Sequence, residues 1–440
     1  MIRKIAVFGL GYVGLPTALE FASKGYDVIG VDIKRDIVES LNKGKSHLRE
    51  LNLEDKLKKA LKEERFRASL NGVEATKESD AIIICVPTPI DEAKIPDLTP
   101  VLSAAKTIAK GLSKDKLVVL ESTVYPSFCE EELIPVLETS GLKAGEDFGV
   151  AHVPERYNPG DEEHTIDKVT RVVGAINKKW LDITLELYKK IVKNVYPVRD
   201  LRTAEAAKII ENVQRDLNIA LMNELALIFE KLDIDVFEVI EAAATKWNFV
   251  KFYPGAGVGG HCLPIDPYYL TYKAQKLGFH PKIILAGRSV NDAMPHHVVK
   301  LVVRGLNKLE KPVNGRKIVV LGLSYKKNVG DFRNAPSEII IKELKELGAE
   351  IYAYDPYINK EVASFYKSND IKISKPYDIF EKAEVIILVT DHEEFKNLDW
   401  NKVREITEKN CLIVDGRGFF EPKEIKRKGF EYIGVGRRSI

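Results

Sequence analysis

The sequence predicts an α/β fold, with a parallel-sheet domain at each end of the chain and an all-helical region between them. Short β-branched runs alternate with helical patterns near both ends, and this alternation is typical of parallel sheets covered by helices. Residues 203 to 234, by contrast, contain neither Gly nor Pro and are rich in helix-forming residues. Because 440 residues exceed the size of one hydrophobic core, we expect domains at residues 1–200, 201–305 and 306–440.

The composition is that of an ordinary globular protein and argues against several classes of partner. The chain is 45% hydrophobic and 30% charged, and its formal net charge of +2 gives no broad attraction to nucleic acid or to an anionic membrane. It begins with a strand pattern rather than a cleavable leader, and no apolar run reaches the roughly 18 residues of a membrane span. The cysteines are widely spaced, without a CxxC pair, so we expect a reduced, cytoplasmic protein without a disulfide framework or a metal site.

Residues 4 to 33, KIAVFGLGYVGLPTALEFASKGYDVIGVDI, predict a strand, a glycine turn, a helix and a second strand. The turn carries the pattern G-x-G-x-x-G, whose glycines allow a tight turn, a close approach of pyrophosphate and close packing of the helix. The second strand ends on Asp32, which can accept hydrogen bonds from ribose hydroxyls. This is the arrangement of a Rossmann domain, and Asp32 favours NAD as the cofactor, whereas the neighbouring Lys34 and Arg35 would suit NADP.

Three further strand patterns end in polar loops: DAIIICVPTP, KLVVLESTVYP and FGVAHVPERYNPGD, at residues 80–89, 116–126 and 148–161. In open α/β sheets, ligands bind beyond the carboxyl ends of the strands, so polar side chains there are expected near the cofactor. The candidates are Thr88, Ser122, Thr123 and Glu155. Loop chemistry and helix capping would explain the hydroxyl residues equally well.

The long helical segment carries polar residues on one of its faces. Lys208, Asn212 and Arg215 follow the spacing i, i+4, i+7. Such a stripe is either a solvated face or, since apolar residues occupy much of the rest, a buried stripe that faces a ligand. The same helix is long and apolar enough to serve as a dimer interface.

The segment KFYPGAGVGGHCLPIDP surrounds Cys262 with glycines and prolines and places Asp266 four residues later. A cysteine kept for packing is found more often within an apolar helix or strand, so we interpret Cys262 as a nucleophile. The alternative is a small buried thiol in a turn. Phe252 and Tyr253 offer aromatic faces that could hold a base or a sugar.

The third region, GRKIVVLGLSYKKNVGDFRNAPSEIIIKELKELGAEIYAYDP at residues 315 to 356, repeats the order strand, turn, helix, strand. It lacks the second and third glycines of the phosphate fingerprint, so it predicts a nucleotide-type α/β domain without the dinucleotide signature. Lys326 and Arg333 lie in its first loop, where they could meet phosphates. Arg288, in the preceding helical segment, is a further candidate anion contact.

Together these motifs resemble the UDP-glucose/GDP-mannose dehydrogenase family along the whole chain. The matching segments follow the order and spacing of that family: GLGYVGLP, CVPTP, ESTVYP, VPER, AEAAKIIEN, PGAGVGGHC, GLSYKKNVGDFRNAP and YDP. The resemblance implies an N-terminal NAD-binding Rossmann domain, a central all-helical dimerisation domain and a C-terminal Rossmann-like domain that binds UDP. It also implies oxidation of the C6 alcohol of a sugar to a carboxylate with two NAD+ per turnover.

The resemblance further implies roles for individual residues. Cys262 would trap the C6 aldehyde as a thiohemiacetal that becomes a thioester, beside Lys208 and Asn212 at the oxyanion. The implied catalytic residues are Cys262, Lys208, Asn212, Asp266, Glu155 and Thr123. The implied cofactor contacts are Gly9, Gly11, Tyr12, Val13, Gly14, Asp32, Arg35, Thr88, Ser122, Thr123 and Arg333. The implied substrate contacts are Arg156, Tyr157, Lys208, Asn212, Arg215, Phe252, Tyr253, Gly259, Lys326 and, from the partner subunit of a homodimer, Arg288.

Departures from the family pattern favour a particular sugar. The UDP-glucose branch usually reads C-F-P-K-D, whereas this chain reads CLPIDP, with Ile265 at the lysine position. The chain is similar instead to the UDP-N-acetylhexosamine 6-dehydrogenases of Vi-type capsular polysaccharide pathways, with Arg156, Tyr157 and Arg215 as candidates near the N-acetyl group. We therefore expect UDP-N-acetylglucosamine as the substrate. The alternatives are the mannosamine and galactosamine isomers, then UDP-glucose, and, in a different class, a non-catalytic protein that binds NAD or UDP-sugars.

Overall fold

The computed structural model describes residues 2–48, 52–156 and 166–438, which fold into two compact units. Unit 1 comprises Met1–Glu211 and Tyr268–His280, and unit 2 comprises Asn212–Pro267 and Pro281–Ile440. Each unit contains its own sheet. The predicted boundaries at residues 200 and 305 stay a prediction.

Unit 1 is built on a sheet of short, apolar strands. These are β1 (Lys4–Phe8), β2 (Asp27–Val31), β3 (Phe66–Ser69), β4 (Ala81–Ile84), β5 (Leu117–Leu120), β6 (Gly149–His152), β7 (Arg171–Ala175) and β8 (Val195–Pro197). In the described part of the chain, their order is β3-β2-β1-β4-β5-β6-β7-β8, with every neighbouring pair parallel except β6 and β7. Strands β4 and β5 read AIII and LVVL and are wholly buried, as expected for central parallel strands covered on both faces.

Helices pack against this sheet and complete its core. They are α1 (Gly14–Ser23), α2 (Arg35–Asn42), α3 (Leu53–Lys62), α4 (Gly72–Glu78), α5 (Thr99–Ala109), α6 (Ile134–Glu138) and α7 (Lys178–Tyr188). The core joins Val7 of β1 to Phe21 of α1 and Trp180 of α7, among other buried apolar side chains. The helix predicted over residues 203 to 234 is confirmed as α8 (Leu201–Leu232), whose residues up to Glu211 belong to unit 1.

Unit 2 repeats the architecture on a smaller sheet. Its strands are β9 (Lys317–Leu321), β10 (Glu350–Tyr354), β11 (Lys372–Ile373), β12 (Val385–Leu388), β13 (Leu412–Asp415) and β14 (Glu431–Gly434). Among the described residues their order is β11-β10-β9-β12-β13-β14, and all neighbouring pairs are parallel. This order matches the first six strands of unit 1 and is that of a dinucleotide-binding sheet, so the predicted α/β fold class is confirmed.

The remaining helices follow α8 in the chain. They are α9 (Val236–Ala243), α10 (Asp266–Lys276), α11 (Lys282–Lys308), α12 (Pro336–Glu346), α13 (Lys360–Ser368), α14 (Trp400–Ile406) and α15 (Pro422–Arg427). The core of unit 2 joins Met294 and Val298 of α11 to the sheet residues Ile318 and Val320. Within the ranges that the structure covers, no helix combines the length and the apolar character needed to cross a membrane.

Candidate active site

The glycine turn after β1 has the conformation that the sequence predicts. Gly9 has a φ of +88°, and a Cβ there would lie 2.6 Å from the carbonyl oxygen of Cys85, so a larger residue would not fit. A Cβ on Gly14 would lie 1.8 Å from the carbonyl oxygen of Gly9, which explains how closely α1 packs on the turn. A Cβ on Gly11 would meet no described atom within 4 Å, so the turn leaves room for a phosphate at the N-terminus of α1.

Asp32 follows β2 beside this turn. Its carboxylate accepts the backbone N–H of Leu10 at 3.0 Å and that of Lys34 at 3.0 Å, so it orders the turn. The side chain stays half-buried, and its remaining lone pairs suit the hydroxyls of a ribose. Arg35 is exposed and lies 3.9 Å from Glu39. The open Gly11 position and the accessible carboxylate fit an NAD molecule, which would supply the hydride acceptor when bound.

A buried cluster of charged side chains surrounds Glu155. Its carboxylate forms an ion pair with Arg171, and Arg171 also lies 3.9 Å from Glu121. Burial raises the pKa of Glu121, although the guanidinium opposes that rise, and Tyr188 donates a hydrogen bond to the same carboxylate at 2.5 Å. The carboxylate predicted to assist proton transfer is thus held by a guanidinium that the sequence reasoning missed. Arg171 lies outside every motif, at the start of β7, and gave no signal.

The loop after β5 carries Ser122 and Thr123 and is anchored at both ends. Ser122 donates its hydroxyl to a backbone carbonyl oxygen in the loop after β4, at 2.7 Å. At the other end, Glu205 of α8 accepts the N–H groups of Ser127 at 2.6 Å and Cys129 at 2.8 Å. Glu205 is buried, and this burial raises its pKa to about 7. The half-buried Thr123 therefore lies in a loop that is fixed from two sides.

In unit 2, Cys262 and Asp266 lie on the turn that begins α10. The carbonyl oxygen of Cys262 accepts the N–H of Ile265 at 3.0 Å and that of Asp266 at 2.8 Å, while the cysteine itself is exposed. Asn212 of α8 donates Nδ2 to the buried Asp266 carboxylate at 2.5 Å. The structure thus brings together three residues that the sequence predicted to act together.

Helix α8 carries two more buried polar residues, which the sequence reasoning missed. Asp216 accepts the side-chain amide of Asn291 at 2.8 Å, and Asn223 donates to the oxygen of Asn291 at 2.8 Å. Asn223 also accepts the N–H of Gly255 at 2.9 Å, which anchors the glycine loop. Together with Asn212, these residues recur at i, i+4, i+11. This helical spacing was the feature of the sequence that could have identified them.

Arg288 lies inside unit 2, on α11. Its guanidinium is 1% exposed and forms ion pairs with Asp216, at 2.6 Å, and with Asp292. The partner-subunit contact that the resemblance implies for Arg288 stays a prediction. Within one chain, the observed role of this arginine is to join α11 to α8.

The other predicted site residues of unit 2, which are substrate contacts except for the cofactor contact Arg333, lie in loops near its sheet or on α8. Tyr253 is exposed, stacks on Phe237 and donates its hydroxyl to Glu241 at 2.6 Å, whereas Phe252 packs against the core. Lys326 and Arg333 lie in the loop after β9, and Gly259 lies beside that loop. Arg215 is exposed on α8.

Unit 1 holds the remaining predicted residues. Arg156 pairs with Glu211 at 2.8 Å, and Lys208 is half-buried on α8, one turn before the end of unit 1. Thr88 is buried after β4, while Tyr12 and Val13 lie in the glycine turn. Tyr157 falls outside the described residues.

Comparison with known proteins identifies each part of the chain. Models of the UDP-glucose/GDP-mannose dehydrogenase family match its NAD binding domain at residues 3–192, its central domain at residues 202–293 and its UDP binding domain at residues 319–422. The first match confirms NAD as the cofactor.

Relatives and a solved structure match over nearly full length. Protein CapL of Staphylococcus aureus is 44% identical, covering 97% of this chain and 98% of that protein. The UDP-N-acetyl-D-glucosamine 6-dehydrogenase of Pseudomonas aeruginosa is 42% identical, covering 94% and 96%. The structure of the UDP-D-ManNAc dehydrogenase of Pyrococcus horikoshii is 35% identical, covers 99% of both chains and has a TM-score of 0.90.

Proposed function

The chain belongs to the UDP-glucose/GDP-mannose dehydrogenase family, and on that basis we propose that it oxidises the C6 alcohol of UDP-N-acetylglucosamine to a carboxylate. The observation that carries the proposal is the hydrogen bond from Asn212 to Asp266, on the turn that exposes Cys262. A cysteine that serves only to pack a core is expected to be buried, as the other three cysteines of this chain are. The product would be a precursor for polysaccharide synthesis.

The chemistry removes four electrons from one carbon in two steps. The alcohol first loses a hydride and a proton to give an aldehyde, and the Cys262 thiol adds to that aldehyde to form a thiohemiacetal. Loss of a second hydride, together with the hydroxyl proton of the thiohemiacetal, gives a thioester, which water cleaves to the carboxylate and the free thiol. Both hydrides leave to NAD+, so one sugar and one water yield two NADH.

The remaining roles are those that the family resemblance implies. Lys208 supplies a cation for the C6 oxyanion, and Asn212 a hydrogen bond beside it. Asp266 and Thr123 order the water that cleaves the thioester, and Glu155 assists the proton transfers. The ion pair with Arg171 supports this last role, because it keeps Glu155 in a fixed orientation.

The identity of the sugar rests on the names of the relatives. UDP-N-acetylglucosamine is favoured because the 42% identical protein of P. aeruginosa is named for that substrate. UDP-N-acetylmannosamine is the second candidate, since the structure with a TM-score of 0.90 is named for it. Initial rates of NADH formation over a panel of UDP-sugars decide between them. We expect the highest kcat/KM for UDP-N-acetylglucosamine, and a higher value for another UDP-sugar would contradict the assignment.

The same assay separates a catalyst from a binding protein. Cys262→Ala should make no uronic acid while still binding NAD+ and UDP, because it removes only the thiol. If wild type binds UDP-sugars without forming NADH, the chain is a non-catalytic binding protein. If the Cys262→Ala variant makes the acid at the rate of wild type, the thioester route is wrong.

We also expect a homodimer formed through α8. Leu221, Ile228 and Leu232 are 50%, 45% and 59% exposed and recur at i, i+7, i+11, so they form one apolar stripe on this helix. A second copy would cover that stripe with the same face of its own helix. Sedimentation velocity should show a dimer for wild type and a monomer for the double variant Leu221→Glu, Ile228→Glu. A monomeric wild type would contradict the proposal.

A further inference from the structure

One aromatic side chain of the loop after β9 packs on the glycines that precede Cys262. A Cβ on Gly260, which has a φ of +93°, would lie 2.8 Å from Cε2 and Cζ of Tyr325. A Cβ on Gly259 would lie 2.6 Å from Cβ of the same tyrosine. The Tyr325 side chain therefore lies directly against the backbone two residues before the thiol, and any side chain at either glycine would displace it.

Two hydrogen bonds fasten the other end of this loop to the same glycine. Gly260 donates its N–H to the carbonyl oxygen of Arg333 at 2.9 Å, and Asn334 donates Nδ2 to the carbonyl oxygen of Gly260 at 3.0 Å. The N–H of Tyr325 in turn donates to the carbonyl oxygen of Asp331 at 3.0 Å, which closes the loop on itself. The segment from residue 325 to residue 334 thus holds Gly260 through both its N–H and its carbonyl oxygen.

The Tyr325 phenol has a raised pKa. Burial raises the pKa of Tyr325 to about 12, and negative charge on Asp331 and Cys262 contributes to the rise, whereas Arg333 and Arg215 oppose it. The phenol therefore stays protonated at neutral pH. The ring that contacts Gly259 and Gly260 is therefore uncharged. It holds the glycine loop through its shape and not through a charge.

The neighbour of Tyr325 in the chain is Lys326, the residue proposed to contact the UDP phosphates. The Ser324 hydroxyl donates to the carbonyl oxygen of Lys326 at 3.1 Å and lies 3.1 Å from Nε2 of His392, which is buried. The Ser324 hydroxyl therefore holds residues 324 to 326 in place. A phosphate that binds the Lys326 side chain would therefore restrict the backbone on which Tyr325 also lies.

We propose that Tyr325 is a positioning residue that couples occupation of the diphosphate site to the placement of Cys262. This inference rests on the proposed function, because it takes the phosphates of the UDP-sugar to bind at Lys326, as the family resemblance implies. When a nucleotide orders residues 324 to 334, the Tyr325 ring holds Gly259 and Gly260, and the thiol adopts one orientation. Without the nucleotide, the glycine loop samples more conformations, since glycine restricts its own backbone least.

The reactivity of the Cys262 thiol measures this coupling without any turnover. Iodoacetamide should alkylate Cys262 alone, because Cys85, Cys129 and Cys411 are buried and burial raises the pKa of each. Intact-protein mass spectrometry follows the reaction in the full-length chain, with Cys262→Ala as the blank. UDP, which lacks the sugar and its C6 carbon, should slow alkylation of wild type about fivefold, at the low end of typical coupling between two sites.

Substitutions at and around Tyr325 isolate the contribution of its ring. Tyr325→Phe keeps the ring and should respond to UDP as wild type does, whereas Tyr325→Ala should bind UDP but lose the protection. Tyr352→Ala, which removes another half-buried tyrosine ring of unit 2, is the matched control and should keep the protection. Asn334 has a φ of +50°, so Asn334→Gly removes its hydrogen bond without straining the backbone, and it should lose part of the protection even if Tyr325→Ala does not fold.

Titration calorimetry with UDP makes each outcome decisive. UDP binding to wild type with an unchanged alkylation rate would overturn the coupling alone. Equal protection in Tyr325→Ala and wild type would also overturn it, because UDP would then shield the thiol directly. A wild type that binds no UDP would overturn the proposed function and this inference together.

Discussion

The glycine turns that follow the first strand of each sheet share one geometry, but they differ in how accessible the neighbouring carboxylate is. Gly9 after β1 and Gly322 after β9 have φ values of +88° and +83°, and each donates its N–H to the last residue of the next strand, at 2.8 and 2.9 Å. Asp32 and Asp355 follow these strands, and each accepts the N–H of the residue after the glycine, at 3.0 and 2.8 Å. The acid therefore closes the turn in both units.

The two acids differ in their surroundings. Asp32 is half-buried, whereas Asp355 is 1% exposed and lies 3.1 Å from Nε2 of His392. Nδ1 of His392 accepts the N–H of Asn328 at 2.9 Å, so the ring proton sits on Nε2, which faces both Asp355 and Ser324. The main role of an acid at this position is therefore to stabilise the turn. It can also bind a cofactor only where its carboxylate remains accessible.

The largest effect is expected from an added methyl group in either turn. Gly9→Ala would meet the Cys85 carbonyl at 2.6 Å, and Gly322→Ala would meet Thr390 at 2.6 Å, so each should lower the free energy of unfolding by about 3 kcal/mol or more. Urea titration measures this loss. Only Gly9→Ala should also abolish NAD+ binding in calorimetry, and loss of NAD+ binding in Gly322→Ala would break the comparison.

Removing the charge of each acid should separate stability from cofactor binding. Asp355→Asn weakens a buried carboxylate that accepts the N–H groups of Leu323, Ser324 and Tyr357, so we expect a loss of about 3 kcal/mol in unfolding free energy. Asp32→Asn, in a half-buried site, should cost about 1 kcal/mol. Equal losses in urea titrations would show that accessibility does not distinguish the two acids.

Asp32 should also decide the choice of cofactor. Asp32→Asn removes a charged acceptor for the ribose hydroxyls while the exposed Arg35 remains, so affinity for NAD+ should fall about tenfold and the preference over NADP+ should narrow. Calorimetry with both cofactors measures this change. The matched control is Asp355→Asn, which should leave both affinities as in wild type.

The smallest effect concerns pH. Burial alone would raise the pKa of Asp355, but the hydrogen bond from Nε2 of His392 and those from the backbone N–H groups outweigh it, so the pKa lies below the ordinary value of 3.8. The ionised carboxylate therefore stabilises the fold above that value, and its contribution disappears as the pH falls through the folded-state pKa. The stability gap between wild type and Asp355→Asn should narrow by about 1 kcal/mol from about pH 7 to about pH 3. A constant gap would contradict this.

The sequence allowed the fold class, the glycine turn and the long helix to be predicted, because each leaves a local pattern of a few residues. The hydrogen bond between Asn212 and Asp266 joins two segments that the family motifs already marked. Arg171 and His392 gave no such signal, since each acts through partners that are distant in the chain. The individual catalytic roles stay predictions that the substitutions at Cys262 and the substrate panel test.

Buried polar residues on α8 show a second limit of sequence reasoning. Glu205, Asp216 and Asn223 each anchor a loop or a helix, yet a polar residue at helical spacing is also what a solvated face shows. Only the packing around the helix distinguishes the two cases. Their spacing with Asn212, at seven, four and seven residues, is visible in the sequence once the buried face is known.

The count of NADH formed per sugar consumed tests the central claim most directly. With UDP-N-acetylglucosamine limiting and NAD+ in excess, the wild-type chain should form two NADH per sugar and leave a C6 carboxylate, identified by mass, because four electrons leave one carbon. One NADH per sugar with a C6 aldehyde as the product, or no NADH with any UDP-sugar, would contradict the account.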